Sequence, residues 1–164
     1  MKQKIFLFLF LIIIIGCNSN SINMNKKFIK FDDGDTIFYK NISIRILGID
    51  APEIIHKEHG IFKNQEMGEI AAEFTKNAIL KAKTIKYFPS TKDKYNRLLA
   101  HILIDDELLA VKLIKAKLAY ETISFYGNNG FEKFANQILK ASKETSSPTF
   151  ESPYLWRKKH QKKH

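Results

Sequence analysis

Five short β-like segments, one amphipathic helix between the third and fourth of them, and two more helical stretches predict an α+β chain with a mostly β core. That is the element order of a five-stranded OB-fold barrel with three α-helices. Length agrees: 164 residues, 45% of them hydrophobic, suit one domain with a real core once non-globular ends are set aside. Charge narrows the partners. The 27 basic against 17 acidic residues give a formal +10, which favours a polyanion such as nucleic acid or an anionic membrane surface without choosing between them. The single cysteine, Cys17, excludes an intrachain disulfide and a zinc site built on several thiolates.

Residues 1–16 read as a signal peptide: MKQK gives a positive start, and Ile5 to Ile15 is an unbroken apolar run ahead of Gly16 and Cys17. Eleven residues are too few to span a bilayer, which needs about 20. The ending Ile14-Ile15-Gly16-Cys17 resembles the bacterial lipobox, in which the cysteine is lipidated and becomes the mature N-terminus. The expected location is therefore the bacterial cell envelope, as an exported lipoprotein held to membrane through Cys17, with ordinary secretion as the alternative. Residues 17–26, rich in Ser and Asn, read as a flexible tether.

The globular domain is expected over residues 27–145. Phe28, Ile29 and Phe31 start a first strand, which turns at Asp33-Gly34 into a second, Asp35 to Tyr39; Ile42 to Ile49 completes a meander. Met67, Ile70, Ala71, Phe74 and Ala78 recur at helical spacing and predict a helix over 64–83. Thr84 to Phe88 reads as the fourth strand, Pro89 to Asn96 as a loop, and Arg97 to Ile104 as the fifth strand. Asp105 or Asp106 is placed to cap a second helix running to Tyr120, striped by Ala110, Leu113, Ile114 and Leu118. A third helix carries Phe131, Phe134, Ala135, Ile138 and Leu139, the two phenylalanines being core residues by their spacing. Residues 146–164 read as a Ser/Thr/Pro-rich linker followed by a basic tail from Arg157, outside any chemistry.

The chemistry-bearing stretch is Phe31 to Glu53. If Lys40-Asn41 is a two-residue hairpin turn, Tyr39 pairs with Ile42, Thr36 faces Arg45, and Asp35 lies beside Arg45. Asp50 and Glu53 follow at the strand's exit, where Ala51-Pro52 forces an extended bend. Oxygen ligands at a strand start and a strand end could converge on one hard cation. Taken singly, each residue has a plainer reading: Asp-Gly turns are usually solvated, strand arginines are usually surface charges, and His56, Glu58 and His59 lack a third ligand at a metal-binding spacing.

The combination is more specific. Asp33-Gly34-Asp35-Thr36, the run Arg45-Ile46-Leu47-Gly48-Ile49-Asp50-Ala51-Pro52-Glu53 and the loop Asp93-Lys94-Tyr95-Asn96-Arg97 resemble, in order, the motifs of the staphylococcal nuclease family. The likeness is clear from about Phe28 to Tyr120 and looser to Trp156. It implies a calcium-dependent nuclease acting on DNA, RNA or both. By the same resemblance Asp35, Asp50 and the Ala51 carbonyl would bind Ca2+, with alanine standing where the family usually has threonine. Glu53 would act on the attacking water, Arg45 and Arg97 would grip the scissile phosphate, and Lys94 and Tyr95 would hold the neighbouring one. Ile123 and Phe125 stand where the family has nucleotide-contacting tyrosines, and Tyr126 is the candidate substitute. The hairpin between Asp35 and Arg45 is also shorter than in the type enzyme. The rival reading from another class is a non-catalytic OB-fold nucleic-acid-binding lipoprotein.

Overall fold

The computed structural model describes residues 20–162. The signal-peptide segment and Cys17 lie outside the described residues. No helix among the described residues is long and apolar enough to cross a membrane.

A curled mixed sheet carries the fold. Its strands are β1 (Ile22–Asn23), β2 (Ile29–Phe31), β3 (Thr36–Tyr39), β4 (Ile42–Ile46), β6 (Ile85–Lys92), β7 (Leu98–Ile104) and β8 (Glu107–Leu108). Their order is β1-β6-β7-β4-β3-β2, with β8 hydrogen-bonded to β7. All pairs in it are antiparallel except β4 with β7. Two short strands, β5 (Ile49–Asp50) and β9 (Tyr120–Glu121), form a separate ladder. Helices α1 (Gly68–Lys81), α2 (Leu109–Lys115), α3 (Ile123–Tyr126), α4 (Glu132–Glu144) and α5 (Pro153–His160) complete the domain. This is the predicted α+β, OB-type arrangement with a mostly β core.

The β3–β4 hairpin follows the sequence closely. Lys40 and Asn41 both take positive φ (49° and 66°), the pair of left-handed residues a two-residue turn needs to match strand twist. That fixes Tyr39 opposite Ile42 and Thr36 opposite Arg45. Ile44 and Ile46 are buried while Ser43 and Arg45 face the other way, the two-residue period of a strand.

Several elements differ from expectation, each for a local reason. The third strand breaks after Ile46 because Gly48 turns the chain at φ 84°, so Ile49–Asp50 leaves the main sheet to pair with β9. The expected loop from Pro89 is instead the end of β6, which absorbs the proline at a register shift between Pro89 and Lys92. Asp105 and Asp106 do not cap a helix; they are the left-handed pair (φ 48° and 63°) of a second tight hairpin, and α2 ends at Lys115. The Asp105 carboxylate accepts from the Lys83 and Thr84 backbone N–H groups, each at 2.8 Å. The expected tether is partly fold: Ile22 and Asn23 pair with Tyr87 and Lys86, and Met24 is buried. Helix α1 buries Ala71, Thr75 and Ile79, leaving the expected core residue Ile70 exposed. Residues 153–160 are helix rather than basic tail.

The core lies between the sheet and α1, α2 and α4, built from Ile37, Ile44, Ile46, Ile79, Ile102, Leu109, Leu113 and Ile138. One polar ring is sealed into its edge. His101 is 0% exposed, neither ring nitrogen has a hydrogen-bond partner, and Phe131 and Phe134 pack edge-on against it with centroids 5.1 Å away. Burial holds its pKa down to about 4, so the folded protein keeps it neutral while the unfolded chain takes up a proton below its ordinary value of 6.5. More protons on the unfolded chain means stability falls as pH drops from 6.5 to about 4. The shift corresponds to roughly 3 kcal/mol in all, at 1.36 kcal/mol per pKa unit. Denaturant unfolding across that range should show a flatter pH dependence in His101→Leu than in the wild type; parallel curves would mean that His101 is not buried neutral.

Candidate active site

The site assembles where the β3 entry, the β4–β5 exit and α1 meet. Asp33 organises the turn: its Oδ1 accepts from the backbone N–H of Asp35 (3.0 Å) and of Thr36 (2.7 Å). Gly34 then allows close approach, since a Cβ there would stand 2.7 Å from the Ala51 Cβ and 2.9 Å from the Ala71 Cβ. The Thr75 hydroxyl on α1 donates to the Gly34 carbonyl at 2.6 Å, tying helix to turn. Asp35 Oδ2 accepts from the Ala51 N–H at 2.6 Å, which joins the first acidic residue to the segment carrying the others.

Glu53 is fixed from its backbone. Its N–H donates to Gln65 Oε1 at 3.2 Å, and its carbonyl accepts from the Gln65 N–H at 2.8 Å. Gly68 at the start of α1 lies so close that a Cβ there would fall 2.2 Å from the Glu53 carbonyl oxygen. Asp35, Asp50 and Glu53 are 1%, 7% and 8% exposed, far too buried for ordinary surface carboxylates.

Two guanidinium groups hold these carboxylates. Arg45 touches Asp35 with Nη1, as the hairpin register predicts, and donates from Nη2 to Asp50 Oδ1 at 2.8 Å, so one fork bridges both acids. The second is Arg157 of α5. Its Nη2 donates to Asp50 Oδ2 at 2.8 Å, and its Nη1 donates to Asp50 Oδ1 at 3.0 Å and also touches Glu53 Oε1. Burial pushes the Asp50 carboxyl up, but Arg45 and then Arg157 outweigh it and hold it below the usual carboxylate range. Burial dominates at Glu53 and raises it despite Arg157, and it likewise raises Asp33.

Arg157 is the site residue that sequence reasoning missed. The Ser/Thr/Pro run before it and the lysines after it looked like linker and tail. The available signal was Ser152-Pro153, a helix start, followed by Trp156 at helical spacing.

The remaining expected residues make none of these contacts with the buried carboxylates. Arg97 does not touch the carboxylates: its Nε donates to Asp93 Oδ2 at 2.8 Å and its guanidinium sits 5.5 Å from the Tyr95 ring centroid. Arg45 pairs with Leu99 across the parallel β4–β7 ladder, so Arg97, two residues earlier, belongs to the same face. Lys94 lies 4.9 Å from the Tyr95 centroid. Tyr95 and Tyr126 are 66% and 74% exposed, and Phe125 is more so. His56 is tied to the turn before β3: its Nε2 bonds Asp32 at 2.9 Å, and that bond raises its pKa.

Among the described residues, the grouping whose ligand atoms all lie within 4.8 Å of one another is Asp32, Asp33 and His56, rather than Asp35, Asp50 and Glu53. The first grouping is already committed: Asp33 to two backbone N–H groups, and His56 to its ion pair with Asp32. In the second, guanidinium nitrogens stand between the carboxylates. Its chemistry suits a hard cation better, being buried carboxylate oxygens in excess of buried positive charge, with Asp35 and Asp50 near enough to share one guanidinium.

Comparison with known proteins identifies the family. The family model described as staphylococcal nuclease homologue matches residues 43–148. A thermonuclease of Staphylococcus intermedius is 34% identical over 117 residues, 68% of this chain and 66% of that protein. One from Staphylococcus hyicus is 32% identical over 123 residues, 72% of this chain and 69% of that protein. The matches thus span about two thirds of these relatives' lengths. With the OB-type sheet, the Arg45-bridged acid pair and this coverage together, the chain belongs to the staphylococcal nuclease family.

Proposed function

We propose that the protein is a calcium-dependent nuclease that hydrolyses phosphodiester bonds of DNA, RNA or both. The observation that carries this reading is the convergence of Asp35, Asp50 and Glu53, all buried, on two guanidinium forks, Arg45 joining Asp35 to Asp50 and Arg157 joining Asp50 to Glu53. The two Staphylococcus relatives are thermonucleases, which points the same way.

Asp35 and Asp50, with the Ala51 carbonyl, are the residues that would hold calcium. When bound there, the ion supplies Lewis-acid stabilisation of charge at the phosphoryl group. Glu53 takes the proton from a water that adds to phosphorus; its raised pKa suits a base working near neutrality. The P–O ester bond breaks and the leaving oxygen takes a proton from solvent, giving a phosphomonoester and a hydroxyl. Arg45 offers a planar fork to the non-bridging oxygens as negative charge grows on them. Arg97 would join Arg45 on the scissile phosphate, while Lys94, Tyr95 and Tyr126 supply charge and exposed aromatic surface where flanking nucleotides would lie. The formal +10 favours encounter with any polyanion.

The place of action is proposed on the lipobox-like Ile14 to Cys17: the domain is anchored to membrane through a lipidated Cys17. Ile22, in β1, is only five positions further on, so the domain would sit close to the lipid surface. Mass spectrometry of the membrane fraction should find acylated Cys17 as the mature N-terminus, and an unmodified Cys17 there would refute the anchor.

The catalytic reading predicts cleavage of DNA or RNA with calcium and none with chelator. Glu53→Gln should keep nucleic-acid binding nearly intact while turnover falls by roughly 100-fold or more, the scale of general-base catalysis. Binding without any calcium-dependent cleavage by the wild type would favour the non-catalytic OB-fold reading instead.

A further inference from the structure

Helix α5 is docked rather than dangling. Phe150, ahead of it, is buried edge-on against Tyr120, whose hydroxyl donates to the Phe150 carbonyl at 2.6 Å. Pro153 and Trp156 are buried. Past the helix, Gln161 Nε2 donates to the His59 carbonyl at 2.9 Å and the Lys162 N–H to the Gly60 carbonyl at 3.0 Å. The seat at Gly60 admits no side chain: its φ is 75°, and a Cβ would lie 2.2 Å from the Lys162 carbonyl oxygen. Clamped at both ends, the helix has little freedom to carry Arg157 elsewhere.

The guanidinium it delivers touches Asp50 and Glu53 at once. On the nuclease reading, on which this inference rests, Asp50 is a cation ligand and Glu53 handles the attacking water. A scissile phosphate has to meet both neighbourhoods. A group in contact with both residues therefore borders the phosphate's position. Arginine is also the side chain whose fork matches phosphate oxygens. A cation on Asp50 would compete for the oxygens that Arg157 now holds, leaving partly buried N–H donors that need new acceptors. Phosphate oxygens are such acceptors.

We propose that Arg157 is a substrate-phosphate ligand of the active site and that α5, beyond the residues matched by the family model, is a working part of it. It is a catalytic residue in the sense of touching the reacting phosphate. Its pairs with Asp50 and Glu53 are the form it takes before the phosphate arrives.

The test uses the full chain, with Arg157→Ala, Arg157→Lys and Gly60→Ala variants. Trp156 is the only tryptophan, so its emission reports whether α5 is docked. Arg157→Ala should keep buried-type emission and lose roughly 100-fold or more in turnover at saturating calcium, the scale for removing one charge-stabilising donor group. Arg157→Lys should recover only part, because a point charge replaces a fork. Calcium titrated calorimetrically without nucleic acid should bind Arg157→Ala as tightly as wild type, or several-fold more tightly, since a competitor is gone. Gly60→Ala should shift the emission toward the solvent-exposed range and reproduce the turnover loss. Turnover in Arg157→Ala equal to or above wild type would overturn the proposal and make Arg157 a plug. So would full turnover in Gly60→Ala with Trp156 exposed. A wild type that cleaves neither DNA nor RNA with calcium would overturn the nuclease reading and this inference with it.

Discussion

Four carboxylates taken out of water within one neighbourhood are the constraint around which the rest of this domain is arranged. Asp33, Asp35, Asp50 and Glu53 are all buried, and their mutual repulsion has to be offset inside the protein. Backbone N–H groups satisfy Asp33, while Arg45 and Arg157 serve the other three. Removing one partner of such a buried pair typically costs about 3–5 kcal/mol because it strands the other charge, against a total stability of about 5–15 kcal/mol. The carboxylates thus commit the fold as well as the chemistry: the hairpin register, the close approach at Gly34 and the docking of α5 all have to be right at once.

That coupling explains which parts of the sequence act far from where they lie. Arg45 reaches the acids through a local hairpin, whereas Arg157 bonds Asp50 across 107 residues and Glu53 across 104. A segment that reads as tail is held by Phe150, Trp156 and Gly60, and its docking delivers the Arg157 charge to a defined point beside Asp50 and Glu53. The price of the arrangement is an acid group, Glu53, whose ionisation burial opposes, and that is also the property a proton acceptor near neutrality requires.

Short-range physics made much of this legible beforehand. The Lys40-Asn41 turn and two-residue alternation set the β3–β4 register, hence the meeting of Asp35 with Arg45, within the single stretch from Asp35 to Arg45. Helix existence was also readable from apolar spacing, but not which face each helix buries: α1 turns Ala71 and Thr75 inward because the Gly34 turn packs there, and Ile70 is left outside. Asp105-Asp106 carries the same residue types as a helix cap and as a left-handed turn, so only the hydrogen bonds to Lys83 and Thr84 decide between them. Pro89 looked like the end of a strand because a bulge that accommodates proline leaves no composition signal. Arg157 was least legible of all, since a lysine-rich run is usually solvated and its partners lie in another part of the chain.

The central claim is that Asp35 and Asp50 form a cation site that Arg157 now borders, within a phosphodiester-cleaving family fold. The most direct measurement is anomalous scattering from crystals of the protein grown with calcium. The account predicts a calcium peak against the Asp35 and Asp50 carboxylates, with Arg157 turned off Asp50 and still within reach of Glu53. A peak at Asp32, Asp33 and His56 instead, or no peak while both arginine bridges stay intact, would contradict it.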